Sequence, residues 1–363
     1  MEYRFNGGEY DNLYNIIFLC GVVFQEKNPG DKRSVLKQYI EKLSEKNKAL
    51  ILEENFVFGK TNKGKLSYDH IYMKDLCAVE SLASLFADCV FIIHESISTG
   101  TELGIFASNP DIKQKVCLLV PDEFSVEEKK ITNFIRLAFL KGNDKVDIIT
   151  YYPKRRSKKI SDNKIDIITS FLDNRVGDNL LQKVNEFIDK KSTHTNKIEF
   201  RKIRFGQTSM QSSCIEYSFQ SNVDQLSIFM PPSIMLTLLI SLFSIDDFKK
   251  KIRKEKNISE HVSDIENFFQ RTFFNTLQCI EGNNFSNIKI NVKNTSISFR
   301  DSIAFSIYLL QAMQLIALEQ DGQDEEKRRI VISTELLADS KRYEHLISKL
   351  SPTKFQGVLD EFI

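Results

Sequence analysis

The sequence predicts an α/β protein: a flavodoxin- or Rossmann-like parallel sheet flanked by helices, followed by a C-terminal α+β domain. Three observations predict it. Short apolar runs such as Asn15-Ile16-Ile17-Phe18-Leu19-Cys20 recur through the first 150 residues, the profile of strands buried on both faces. Between them lie segments with apolar residues at helical spacing. Beyond Tyr152-Pro153 this alternation gives way to mixed strand and helix character. Strands alternating with helices imply parallel pairing through right-handed crossovers.

The first strand, 15–20, stops at Gly21. A helix over 31–46 follows from Val35, Leu36, Tyr39, Ile40 and Leu43, and Ala49-Leu50-Ile51-Leu52 is the second strand. A polar loop over 59–67 leads to a helix over 71–86, the third strand over 90–93, and a helix beginning near Glu102. The fourth strand spans 116–120 and ends at Pro121, a helix spans 127–140, and a strand spans 146–150. A basic segment, 154–196, holds helices over 165–172 and 180–187. It divides a catalytic domain, 1–153, from a recognition or assembly domain, 197–363. In that last domain 197–228 alternates like β-structure, and helices are expected over 232–252 and 259–277. A hairpin around Asn294 spans 288–299, followed by a helix over 302–318, a strand over 329–332 and two terminal helices.

Net charge is +1, so no global field recruits nucleic acid or membrane. The six cysteines and five histidines are dispersed, without zinc spacing, so no metal is expected. Scattered, mostly apolar-flanked cysteines and no signal segment point to a reducing cytoplasm. The uncharged stretch 226–245 approaches the length of a membrane span, but Pro231-Pro232 interrupts it. A buried helix starting near Pro232 is the better reading, because proline is tolerated in a first turn.

Chemistry-bearing residues gather beyond the carboxyl ends of the expected strands, where open α/β sheets bind ligands. After strand one come Cys20 and Gly21, the glycine allowing close backbone approach. After strand two come Glu53 and Phe56, in Glu53-Glu54-Asn55-Phe56. After strand three come His94, Glu95, Ser96, Gly100, Thr101 and Glu102, the last in Thr101-Glu102-Leu103-Gly104. Glu102 reads as a general base, a metal ligand, a nucleophile or a first-turn acid favoured by the helix dipole. Cys20 sits in an apolar strand with no histidine nearby in sequence, so packing explains it better than nucleophilic chemistry.

The ordered set, from strand-Cys-Gly through Glu-Glu-Asn-Phe and Ala-Asp-Cys-Val-Phe-Ile-Ile to Thr-Glu-Leu-Gly and Lys-Val-Cys-Leu-Leu, resembles the nucleoside 2-deoxyribosyltransferase-like superfamily over residues 15–120. It is most similar to the branch that serves as effectors of retron anti-phage systems. The resemblance implies a flavodoxin-like sheet with Glu102 as the nucleophile on the anomeric carbon of an N-riboside. Such attack splits a hard substitution into two easier steps through a glycosyl ester. Asp88 matches the acid preceding the family's third strand and joins Glu102 as a catalytic candidate; a strand-start structural role is the alternative. Transferases of this kind carry an aspartate six residues before the nucleophile, where this chain has Ser96, and Phe18 replaces an aromatic hydroxyl. A leaving group that is already cationic, such as the nicotinamide of NAD, needs no general acid. NAD or a nucleotide is therefore the expected substrate, and no separate cofactor is expected.

The resemblance also implies partners: a reverse transcriptase with its RNA–DNA product, holding a toxic activity in check, and further copies of the chain. Lys154, Arg155, Arg156, Lys158 and Lys159 form a basic run without opposing acids, a candidate nucleic-acid contact or a solvated face. A second run, 249–256, has the same two readings. Two rival functions stand beside the glycosidase: a metabolic nucleoside deoxyribosyltransferase, and a nucleotide-sensing module in which no bond breaks.

Overall fold

Five parallel strands form the sheet that the apolar runs predict. They are β1 (Asn15–Cys20), β2 (Asn47–Leu50), β3 (Cys89–Ile93), β4 (Val116–Asp122) and β5 (Ile149–Pro153), in the spatial order β2-β1-β3-β4-β5. The computed structural model describes residues 2–21, 24–28, 31–57, 66–67, 76–95, 97–122, 149–153, 156–161, 164–168, 177–192, 195–204, 206–207, 213–220, 224–282, 287–320 and 327–350. This is a flavodoxin-like strand order, whose connections leave β1 and β3 in opposite directions and open a crevice beyond their carboxyl ends.

The sheet is dry on both sides, as continuous apolar strands require. Ile17, Leu19, Phe91 and Cys117 face Leu36 and Ile40 of α1 (Lys32–Leu43) and Val184 and Phe187 of α4 (Gly177–Lys191). Phe91 and Phe187 meet edge to face, their ring centroids 5.6 Å apart. Alternation turns Phe18 and Cys20 to the opposite face. There β1 contacts α2 (Leu76–Phe86), which also packs on α3 (Ile97–Ser108).

Several boundaries differ from the sequence expectation. α3 begins at Ile97, five residues ahead of Glu102, because the Ser/Thr/Gly stretch is itself helical. The expected helix over 165–172 is instead the strand Lys164–Ile168, paired antiparallel with Arg156–Ser161. Ile165 and Ile168 fit helical spacing while Ile165 and Ile167 fit strand alternation, and pairing with Arg156–Ser161 decides for the strand. The expected helix over 127–140 lies outside the described residues.

Leu13–Phe56 and Asp75–Thr193 make up the unit that carries this sheet, and Met1–Asn12, Val57–Lys74 and His194–Ile363 make up a second. In the second unit Tyr3–Phe5 pairs with Ile347–Lys349 and Gly8–Asp11 with Thr195–Ile198, so the start of the chain folds with the α+β part. Its four-stranded sheet has the order Phe200–Lys202, Ile215–Gln220, Gln225–Met230, Asn287–Val292. Asn287–Val292 pairs parallel with Gln225–Met230, so the hairpin expected around Asn294 does not form. Ser298 instead caps a helix, Phe299–Ala312. The chain then forms Ile316–Glu319, antiparallel to Arg329–Ile332, where one longer helix was expected. The uncharged stretch contributes the buried helix Pro232–Leu242. Among the described residues no helix is long and apolar enough to cross a membrane.

Candidate active site

The site is built from the carboxyl ends of β1 and β2 and from three helices. Asp31 caps α1 by accepting from the backbone N–H groups of Arg33 and Ser34, each at 3.0 Å. That cap fixes Arg33 in the first helical turn, where its side chain is buried. Arg33 Nη1 donates to Glu53 Oε1 at 3.0 Å and Oε2 at 3.1 Å, just beyond β2. The Phe24 ring centroid lies 5.3 Å from its guanidinium carbon. A Cβ at Gly21 would lie 3.4 Å from both Arg33 Cδ and Ile93 Cβ, so the turn after β1 packs closely against α1 and the end of β3.

Glu102 occupies the second turn of α3, beyond the reach of a first-turn dipole effect. One of its carboxylate oxygens, Oε2, is buried with no hydrogen-bond partner among the described residues. Burial, followed by repulsion from Glu80, pushes its carboxyl up to about 8, with Arg33 opposing and Glu53 adding to the rise. Glu80, on the buried side of α2, is pushed up to about 7 by burial and then by Glu53, again against Arg33. Cys20 faces the same charges: burial first, then Glu102 and Glu80, hold its thiol protonated. It is a packing residue and not a nucleophile. The arrangement gathers the carboxyls of Glu53, Glu80 and Glu102 and the Cys20 thiol around one guanidinium.

Of the residues expected from sequence, Cys20, Gly21, Glu53 and Glu102 come together here. His94 and Glu95 stand at the end of β3, His94 Nδ1 2.8 Å from Thr99 Oγ1 and Glu95 ion-paired with Lys32. A Cβ at Gly100 would meet no atom within 4 Å, so that helical turn leaves open space. Phe56 opens the segment Phe56–Val57, Thr101 lies in α3, and Arg156, Lys158 and Lys159 lie in Arg156–Ser161. Ser96, Lys154 and Arg155 fall outside the described residues.

Asp88 is a correction. It precedes β3 at the amino end, the opposite edge of the sheet from Glu102, and its Oδ2 accepts from Ile16 N–H at 2.8 Å. Its neighbour there is Lys115, whose Nζ donates to the carbonyls of Leu85 at 2.9 Å and Ala87 at 2.7 Å. Asp88 ties strand starts together at the opposite edge of the sheet from Glu102. Sequence reasoning missed Arg33 and Glu80. Glu80 had a signal: it is the sole acid in the otherwise apolar helix Leu76–Phe86. Arg33 had none, being one of three consecutive charged residues, 31–33.

Fold and site together define a doubly wound α/β domain with buried carboxylates at its switch point. A family model described as STM3845 retron effector protein matches residues 29–318, well over half of the chain. The chain belongs to that retron effector family, which points to a role in anti-phage defence. No curated protein matches it.

Proposed function

We propose that the chain is an N-glycosidase-type effector that breaks the N-glycosidic bond of NAD or a nucleotide through Glu102. The supporting observation is the half-buried Glu102 carboxylate, one oxygen of which has no hydrogen-bond partner among the described residues, in a helix at the sheet's switch point. A buried carboxylate without a donor is costly and gains most from a cationic partner. In the proposed reaction the ionised carboxylate attacks C1′ of the ribose. The bond to nicotinamide breaks, and its electron pair leaves with the ring as neutral nicotinamide. The transition state carries oxocarbenium charge beside Glu102, Glu80 and Glu53, which stabilise it electrostatically. Arg33 keeps Glu53 oriented and limits the net negative charge. A reverse transcriptase with its RNA–DNA product is the proposed restraint on this activity.

The test uses the full-length chain produced with the reverse transcriptase and noncoding RNA of its own retron, supplied with NAD. Native chain is expected to release nicotinamide. Glu102→Gln is expected to abolish release while retaining NAD binding. Equal release by Glu102→Gln would overturn the reading, and binding without turnover by the native chain would favour a sensor.

A further inference from the structure

Glu80 is a buried acid that makes and breaks no bond in the first half of the proposed reaction. It is 8 % exposed, beside Val79, Leu82 and Ala83 on the sheet-facing side of α2. A structural glutamate at such depth is ordinarily paired with a base. Glu80 has no hydrogen bond or ion pair among the described residues. Its helix packs on α3, which carries Glu102, and its charge is felt by both Glu102 and Cys20. The packing of α2 on α3 thus sets a second carboxylate within electrostatic reach of Glu102.

We propose that Glu80 is the base of the second half-reaction, activating the water that frees the sugar from Glu102. The proposal rests on the reading of Glu102 as nucleophile. In the glycosyl ester, Glu102 no longer bears charge. Glu80 takes a proton from water, and the water oxygen bonds to C1′. The C1′–Oε bond breaks and its electron pair returns to the Glu102 carboxylate. The product is the sugar with a free anomeric hydroxyl, and Glu80 then releases its proton to solvent. Retaining glycosidases divide the work between two carboxylates in this way.

The neighbouring groups are less suited. Glu53 is held by Arg33 through both oxygens, and its side chain is 41 % exposed. The Cys20 thiol is pinned in its protonated form. His94 is engaged with Thr99 at the end of β3. Glu80, lifted by burial to about 7, sits where a general base works best at neutral pH.

Full-length native chain and the Glu80→Gln and Glu80→Ala variants are mixed rapidly with NAD. Nicotinamide release is followed in time, and the protein is weighed intact. Glu80→Gln is expected to release a stoichiometric burst of nicotinamide, followed by turnover about 10²- to 10⁴-fold slower than native. A mass gain of one ADP-ribosyl group is expected, mapping to the peptide that contains Glu102. Azide needs no base, so it is expected to restore turnover of Glu80→Ala and yield the glycosyl azide. Steady turnover of Glu80→Gln within about threefold of native overturns the proposal. So does slow turnover without burst, adduct or azide rescue. Glu80→Gln is isosteric and removes a buried charge, so it keeps the test valid if Glu80→Ala fails to fold. Glu102→Gln separates the two readings. If it turns over like native, the nucleophile reading fails and this one with it. If it is inactive while Glu80→Gln is indifferent, only the role of Glu80 fails.

Discussion

Arg33 and Glu53 form a clamp across the mouth of the sheet: one guanidinium nitrogen, Nη1, lies 3.0 Å and 3.1 Å from the two carboxylate oxygens. The clamp joins the first turn of α1 to the end of β2, and Arg33 opposes the upward push on Glu80, Glu102 and Cys20 alike. Because Glu102 must be ionised to attack, kcat/KM for nicotinamide release is expected to rise with pH between about 7 and about 8. Glu80 and Glu102 interact, so the rise belongs to the pair. Arg33→Gln is expected to move it to higher pH, and Arg33→Lys to move it less. A profile that stays in place in Arg33→Gln would show that the guanidinium does not govern the carboxylates.

The same burial sets a stability cost. The folded chain binds a proton at Glu102 up to about pH 8, whereas the ordinary carboxyl loses it at 4.5. The folded state therefore holds more protons across this window, and stability falls as pH rises through it. Glutamine cannot ionise. Glu102→Gln is expected to melt close to native at pH 4.5 and several degrees higher at pH 8.5, by thermal denaturation. A Tm difference that does not grow with pH would place the side chain in water.

Much of the parallel sheet was legible because Ile16 to Cys20, β3 and the first residues of β4 are uninterrupted apolar runs, whereas β2 opens on Asn47-Lys48, two residues ahead of its expected limits, 49–52. β1 matches its expected limits, 15–20, with Gly21 ending the apolar run. The site was legible in part. Glu102 and Glu53 lie in the first helices beyond the carboxyl ends of strands, where their place in the chain order marks them. Arg33 enters the site through its cap and its helix orientation, which residue spacing does not encode. Asp88 misled because acids at either end of a strand look alike until the strand has a direction. In the second unit, Phe299 fits a strand by alternation, yet Ser298 accepting from Asp301 N–H starts a helix. Non-local pairing decided the neighbouring segment: Asn287–Val292 found its partner across the sheet, not across a turn.

Lys115 tests the division of labour between the two ends of the sheet. It donates to Leu85 and Ala87 at the end of α2, near Asp88. Lys115→Met leaves two carbonyls without their donor and is expected to cost about 1–3 kcal/mol. Tm is expected to fall by about 2–4 °C per kcal/mol. The pH profile of nicotinamide release should stay where it is in native chain. Asp88→Asn is expected to behave in the same way; a collapse of kcat at unchanged Tm would return Asp88 to the chemistry.

The second unit holds its own buried charge, and it makes a prediction independent of any enzymatic reading. Glu216, in Ile215–Gln220, is wholly buried; it is ion-paired with Arg201 and lies 2.9 Å from the ammonium of Lys293, itself only 4 % exposed. Arg201 reaches solvent, so Lys293 is the partner that shares the low-dielectric interior. Removing it as Lys293→Met is expected to destabilise the unit by about 3–5 kcal/mol, since a charged carboxylate keeps its desolvation without its inner counter-charge. Adding Glu216→Gln to Lys293→Met removes that charge too. The double variant is expected to unfold at higher denaturant than Lys293→Met alone, because a buried pair is weak in net terms while a broken one is costly. Additive losses in urea unfolding would mean that the two residues do not act as a pair.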